Sequence, residues 1–158
     1  MENVNELMDK AEERARYNFR NGLNCAESVV QSIIDIGLVT LPPEFVATAS
    51  GFGGGIGHTK NMCGAISGCL MAVSSVKGRK NPFEKETLKE RFNELNGEDG
   101  IYPFFARIVK ELEDKYGTLL CRELTNQFAD FTSKERKGSC MEITAFCSRL
   151  AVKYICEE

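Results

Sequence analysis

Cysteine is the residue type whose number and placement in this sequence could support chemistry. The chain has 158 residues and seven cysteines. Because the count is odd, a closed set of structural disulfides cannot include all of them. Free thiols exchange disulfides, carry electrons as dithiol pairs, or bind metals as thiolates. The composition therefore favours thiol redox chemistry or a thiolate metal site.

Four of the cysteines closely follow residues that commonly cap helices. Asn24, Asn61, Thr118 and Ser139 precede Cys25, Cys63, Cys121 and Cys140, respectively, by one to three positions. A helix N-terminus carries unpaired N–H groups and about half a positive charge, which favours a thiolate over a thiol. We therefore predict one functional cluster of low-pKa thiols, either catalytic or metal-binding. Its members are Cys25, Cys63, Cys121 and Cys140. The other three cysteines lie inside predicted helices and are expected to pack in the core; they are Cys69, Cys147 and Cys156.

A glycine-rich segment, residues 51–57, precedes the helix that carries Cys63. It follows a helix rather than a strand and contains no Gly-Lys-Ser or Gly-Lys-Thr, so it is not a nucleotide-binding loop. Glycines allow backbone N–H groups to come close to a sulfur or an anion, which makes Gly53, Gly54 and Gly55 candidate binding residues. His58, the only histidine, is a candidate proton donor or ligand.

Helical periodicity runs through the chain, and no strand pattern competes with it. We expect an all-α bundle of about six or seven helices. Helices are predicted in the ranges 4–20, 24–36, 43–50, 62–77, 82–95 and 101–116, and in a last segment that contains Cys140 and Tyr154. Loops are predicted at 97–100 and 133–138. The helix over 62–77 carries small residues spaced by four, which allow close packing, and is expected to be central and buried.

Composition and charge restrict the partners. The chain has 20 Lys plus Arg and 23 Asp plus Glu, for a formal net charge of −3. This balance gives no excess of positive charge that would favour binding to nucleic acid or to an anionic membrane. The apolar runs are too short to span a bilayer, and residues 1–16 do not resemble a signal peptide. We expect one cytoplasmic domain over 1–158, with an unidentified redox partner. The small-residue strip and the last helix would also suit a homodimer interface.

The ordered cysteine motifs resemble the C_GCAxxG_C_C family of redox-active proteins. The resemblance rests on Asn24-Cys25-Ala26-Glu27-Ser28, the glycines of 51–57, Cys63-Gly64-Ala65-Ile66-Ser67-Gly68, Cys121 and Cys140. This chain has Cys-Gly-Ala where the family label places glycine before cysteine. The resemblance marks the same four cysteines, Cys25, Cys63, Cys121 and Cys140, as the functional ones. A related haem protein type suggests electron transfer, but this chain has no Cys-x-x-Cys-His for covalent haem.

Three functions stay open. In the first, Cys25 and Cys63 cycle between dithiol and disulfide, in thiol–disulfide exchange or electron transfer. In the second, the four thiolates hold zinc or an iron–sulfur cluster, although no paired Cys-x-x-Cys motif supplies the ligands. In the third, the chain is a helical accessory domain whose cysteines only pack. A cysteine hydrolase is disfavoured because His58 has no third member of a triad.

Overall fold

The protein is all-α in the computed structural model, which describes residues 2–158. The described chain contains seven α-helices and one 3-10 helix, and the predicted fold class and number of helices are confirmed. They are α1 (Val4–Arg20), α2 (Cys25–Asp35), a 3-10 helix (Pro43–Phe52), α3 (Gly64–Lys77), α4 (Leu88–Asn96), α5 (Ile101–Tyr116), α6 (Cys121–Leu124) and α7 (Lys134–Cys156). The extended pairing within residues 2–158 is a single antiparallel bridge between Met62 and Leu120.

Side-chain caps set several of the helix starts. Asn3, Asn24 and Thr87 each accept a hydrogen bond from the backbone N–H three residues later, and the backbone N–H of each cap residue donates to the side chain of the Glu at that position. This reciprocal capping box satisfies two backbone donors that would otherwise lack partners. The starts of α1, α2 and α4 are therefore fixed by local sequence.

The core lies where α1, α2 and α3 pack against the long α7. Helix α3 buries eight of its 14 residues, which confirms the prediction of a central, buried helix. Cys69 and Cys147 are fully buried among the apolar side chains of this core, as predicted. Cys156 is half-buried and is the last residue of α7.

The small-residue strip of α3 is used within the chain. A Cβ added to Gly68 would lie 2.6 Å from the carbonyl oxygen of Ala26, so α2 and α3 approach closely only because position 68 is glycine. Helix α7, the other surface considered for a homodimer, packs against α1 and α3. Both surfaces are therefore covered by this chain's own helices.

Two predicted boundaries are wrong. The helix expected over 82–95 begins at Leu88, because Thr87 caps it and the preceding residues form turns. The loop expected at 133–138 is the first part of α7, whose N-cap is Ser133. In both places a capping side chain, that of Thr87 or Ser133, marks the start of the helix.

The apolar side chains that remain most exposed lie in and before α4. Phe83, Leu88 and Phe92 are 79%, 78% and 65% exposed, respectively. Helix α4 buries none of its residues and contacts α5 at one edge of the bundle. Among residues 2–158, no helix has both the length and the apolar character needed to cross a membrane.

Candidate functional site

The four predicted cysteines line one cavity of about 1030 Å³. Gly53, Gly54 and His58 line it as well, whereas Gly55 is buried behind Cys121, where an added Cβ would lie 2.7 Å from the Cys121 Cβ. The convergence required by the sequence argument is thus present in the fold. The chemical roles of Cys25, Cys63, Cys121 and Cys140 stay a prediction.

Cys25 is positioned by the cap of α2. Asn24 Oδ1 accepts a hydrogen bond from the Glu27 N–H at 2.8 Å, and its amide Nδ2 donates to the Ser50 carbonyl at 3.0 Å. The Ser50 hydroxyl donates to Glu27 at 2.7 Å. These bonds join the start of α2 to the end of the 3-10 helix. Cys25, the first residue of α2, is half-buried at the cavity wall.

Cys63 and Cys121 are held together by a short backbone pairing. The Cys63 N–H donates to the Leu119 carbonyl at 2.9 Å, and the Cys121 N–H donates to the Asn61 carbonyl at 2.7 Å. Both thiols are buried, with 8% and 6% of their residue surfaces exposed. Cys63 is the N-cap of α3, and its side chain forms no capping hydrogen bond of standard geometry.

Gly64 brings the Cys25 thiol next to the Cys63 backbone. A Cβ on Gly64 would lie 2.4 Å from Cys25 Sγ and 2.6 Å from the Phe52 carbonyl oxygen. Real Cβ atoms do not approach other atoms so closely, so only glycine fits between these groups. Cys25 Sγ therefore lies against the residue that directly follows Cys63.

The prediction that Cys140 lies in the first turn of a helix is wrong. Because α7 begins at Lys134, Cys140 lies in its second turn, beyond the N–H groups of the helix end. Its polar neighbour is instead Arg136, whose guanidinium donates to Cys140 Sγ at 3.7 Å. The Arg136 guanidinium also donates to the Phe131 carbonyl and lies 4.0 Å from the centre of the Phe131 ring.

The prediction of low-pKa thiols is wrong for Cys63, Cys121 and Cys140. Burial raises the pKa of Cys63 to about 12, although the amides of Ile66 and Ala65 act in the opposite direction. Burial also raises the pKa of Cys121 and of Cys140, the latter despite the lowering effect of Arg136. Removing a thiolate from water outweighs the partial charge of a helix end. The expectation of an oxidising pair, which relied on lowered pKa values, loses its basis.

The glycine-rich loop is held in an unusual backbone conformation. Ile56, His58 and Lys60 have positive φ angles of 64°, 66° and 60°. Such angles are rare for a side chain branched at Cβ, such as that of Ile56, and are maintained only by surrounding contacts. Hydrogen bonds from the N–H groups of residues 57, 58, 60 and 61 to carbonyls of residues 51, 53, 54 and 55 supply those contacts. The N–H groups of residues 53–55 take no part in these bonds.

His58 forms part of the rim of the cavity. An added Cβ at Gly54 would lie 2.5 Å from His58 Nδ1, so the imidazole lies directly on the glycine backbone. Its ring is 5.0 Å from that of Phe131, edge to face. The imidazole is thus fixed in place yet exposed to solvent.

Sequence reasoning missed the basic residues of the cavity. These are Arg20, at the end of α1, and Lys134, Arg136 and Lys137, in the first turns of α7. The spacing of Arg136 and Cys140, four residues apart on one helix, was the available signal. It was hidden because residues 133–138 were interpreted as a loop.

The metal alternative has no preformed ligand set. Among residues 2–158, no three His, Cys, Asp or Glu side chains are placed together so that they could hold a metal ion. The four cysteines line a common cavity without forming a cage around one point. A cage would require their side chains to move closer together.

The fold and the site together define an all-α protein with a cavity lined by four cysteine thiols. Residues 23–154 match the family described as "Putative redox-active protein (C_GCAxxG_C_C)". The chain belongs to this family, and the family supports a general redox role. The chain is 27% identical over 140 residues to an uncharacterized protein from Archaeoglobus fulgidus, in an alignment that covers 89% of each protein. No solved structure matches the chain.

Proposed function

We propose that the cavity carries out thiol–disulfide exchange and that Cys25 and Cys63 are its dithiol pair. The observation that carries this proposal is the contact of Cys25 Sγ with the Gly64 position, next to Cys63. Cys25 is also close enough for its charge to raise the pKa of Cys63, Cys121 and Cys140. A disulfide is uncharged, so the buried surroundings of Cys63 penalise it less than they penalise a thiolate.

The accessibility of the thiols suggests an order of reaction. Cys25 is half-buried and Cys63 is buried behind it, so an external disulfide meets Cys25 first. The Cys25 thiol, on losing its proton, attacks one sulfur and forms a mixed disulfide, and the first external thiol leaves with a proton. Cys63 then loses its proton and attacks Cys25 Sγ, which expels the second external thiol. In total, two protein thiols are oxidised and one external disulfide is reduced to two thiols.

We further propose Cys121 and Cys140, which line the same cavity, as a second pair for this chemistry. Cys140 raises the pKa of Cys121, which places the two thiols within electrostatic range of each other. Disulfide exchange from the Cys25–Cys63 pair would pass the oxidation to them without a further oxidant. We place this activity in the cytoplasm, because its reduced state needs a reducing compartment.

Peptide mapping after mild oxidation tests the proposal. Oxidation by one equivalent of bis(2-hydroxyethyl) disulfide is expected to remove two thiols and to give a peptide linked through Cys25 and Cys63. Cys25→Ser and Cys63→Ser should each abolish that peptide. Cys156→Ser, which removes a half-buried thiol remote in sequence from the pair, is the matched control and should retain it.

Metal analysis of protein purified without oxygen distinguishes the alternatives. Stoichiometric zinc or iron that is lost in Cys63→Ser would overturn the dithiol proposal in favour of a thiolate metal site. Metal-free protein whose cavity thiols resist both oxidation and alkylation would leave the accessory-domain interpretation.

A further inference from the structure

The cavity has a strongly one-sided charge. Its lining contains four cationic side chains and His58, and no aspartate or glutamate, although acidic residues outnumber basic ones in the whole chain. The cationic side chains are those of Arg20, Lys134, Arg136 and Lys137. A concave site lined by one sign of charge concentrates ligands of the opposite sign. The charge of this cavity is therefore a local property that the net charge of −3 conceals.

These cations are not neutralised by partners within the protein. None of the four takes part in a salt bridge among the described residues. Glu142 and Asp130 lie within electrostatic range of these cations, and neither lines the cavity. Glu142 is already bound by Arg16 at 2.9 Å. The four positive charges thus remain available to a bound anion.

Arg136 is fixed in an orientation suited to ligand binding. Its Nε donates to the Phe131 carbonyl, and its NH1 group donates to Cys140 Sγ at 3.7 Å. Its NH2 group makes no hydrogen bond within the described chain. Stacking on Phe131 fixes the plane of the guanidinium group. The Arg136 side chain therefore loses less conformational entropy when a ligand binds to it. An anionic group bound to NH2 would lie beside the Cys140 thiol.

The interior of the cavity is less polar than its rim. Arg20, Lys134 and Lys137 are exposed at the rim, whereas Cys63, Cys121 and Ile143 are buried at the floor. A volume of about 1030 Å³ is that of a small-molecule site, at the upper end of the range for such pockets. The occupant must carry its negative charge at the rim and reach the thiols with an uncharged part.

We propose that the substrate of this cavity is a small-molecule disulfide that carries carboxylate groups. This inference rests on the proposed function and adds the chemical class of the substrate to it. The carboxylates bind the basic rim, and the disulfide bond reaches Cys25 and Cys140 beneath it. Exchange reduces the substrate to two thiols and oxidises one pair of protein thiols, so electrons and protons balance without another reactant.

Three dialkyl disulfides of similar size and different charge test the inference, with each rate divided by the rate of the same disulfide with a small free thiol. They are 3,3′-dithiodipropionate, bis(2-hydroxyethyl) disulfide and cystamine, which carry two negative charges, none, and two positive charges. The rate of loss of protein thiols at pH 7 should be at least about tenfold higher with the dianion than with the dication. Added salt at 0.5 M should reduce that preference, because it screens the rim.

Charge variants separate the rim from the rest of the surface. Replacing Arg20, Lys134 and Lys137 together by Gln should lower the ratio of the rate with the dianion to the rate with the dication several-fold. The matched control replaces Lys80, Lys85 and Lys89, which are exposed and do not line the cavity. This control has the same change in net charge and should keep the full preference.

The outcomes for the substrate class and for the proposed function are distinguishable. Oxidation by all three disulfides at similar rates would overturn the anionic substrate and leave thiol exchange intact. If none oxidises the protein, thiol exchange fails, and the unreactive thioether 3,3′-thiodipropionate then tests the anion site alone. The site would be supported if 3,3′-thiodipropionate raises the melting temperature more than thiodiethanol does at equal ionic strength. This extra rise should be lost in the triple variant. No such rise would overturn it.

Discussion

Replacing Gly64 by alanine should damage both the stability and the thiol site. The added Cβ would lie 2.4 Å from Cys25 Sγ and 2.6 Å from the Phe52 carbonyl oxygen. Ordinary contacts between such atoms are about 3.5–4.0 Å, so each neighbour must retreat by about 1 Å. Overpacking of this kind costs about 1–3 kcal/mol, and two simultaneous clashes indicate the upper end of that range.

Thermal unfolding under reducing conditions measures this cost. For a chain of this size, about 3 kcal/mol corresponds to a fall in melting temperature of about 6–12 °C. Gly138→Ala is the matched control, because an added Cβ there meets no atom within 4 Å. Inside helix α7 that replacement should stabilise the protein by about 0.5–1 kcal/mol, since alanine loses less backbone entropy than glycine.

A double-mutant cycle identifies which clash matters. Cys25→Ala removes the sulfur but leaves the Phe52 carbonyl, so it should relieve part of the cost of Gly64→Ala. We expect a coupling energy of about 1 kcal/mol or more between the two positions. An unfolding free energy within about 0.5 kcal/mol of the wild type for Gly64→Ala would refute the geometry. An equal cost in both backgrounds would place Cys25 Sγ away from Gly64.

Three further predictions follow from burial, titration and capping. Alkylation of the folded protein should modify Cys25 well before Cys69 and Cys147, which are fully buried, and equal rates by peptide mass spectrometry would contradict the core packing. Because the pKa of Cys63 is raised to about 12, the Cys63 thiol stays protonated at high pH. Oxidation of the pair to a disulfide therefore still releases the Cys63 proton. The midpoint potential of the Cys25–Cys63 pair should then keep falling by at least about 30 mV per pH unit between about pH 9 and about pH 11, whereas a plateau would mean that Cys63 is already ionised. Asn24→Ala removes the α2 cap and should lower the unfolding free energy by about 1–2 kcal/mol in urea titration, and no loss would show that the cap is dispensable.

The burial of the thiols limits what a helix end can do for reactivity. Cys63 lies at the N-terminus of α3, where the partial positive charge of the helix favours a thiolate. Its pKa is nevertheless raised, because the thiolate would lose most of its hydration there. We therefore expect the buried thiols to react only after the more exposed Cys25 has formed a mixed disulfide with the substrate. This order makes access to the cavity, and hence the charge of its rim, important for the rate.

Local signals predicted much of the fold. Apolar periodicity and the cap at Asn24 indicated that α2 begins at Cys25, whereas the expected cap at Thr118 is wrong because the N-cap of α6 is Leu120. The all-α class followed from the absence of a competing strand pattern. The start of α7 was not predicted, because Gly138 and the polar residues around it are typical of a loop. In the structure Ser133 caps the helix, and packing of the later part of α7 stabilises its first turns.

The sequence by itself determined that this is a helical, cysteine-rich protein, because helix periodicity, capping and residue type are local properties. It also indicated which four cysteines to consider. Only the tertiary structure decided that they share one cavity, since convergence depends on how α2, α3, α6 and α7 pack. The same is true of the raised thiol pKa values and of the basic rim. The pKa values are raised by burial, and the rim is formed by residues that are far apart in the chain. Neither property can be predicted from a local sequence pattern.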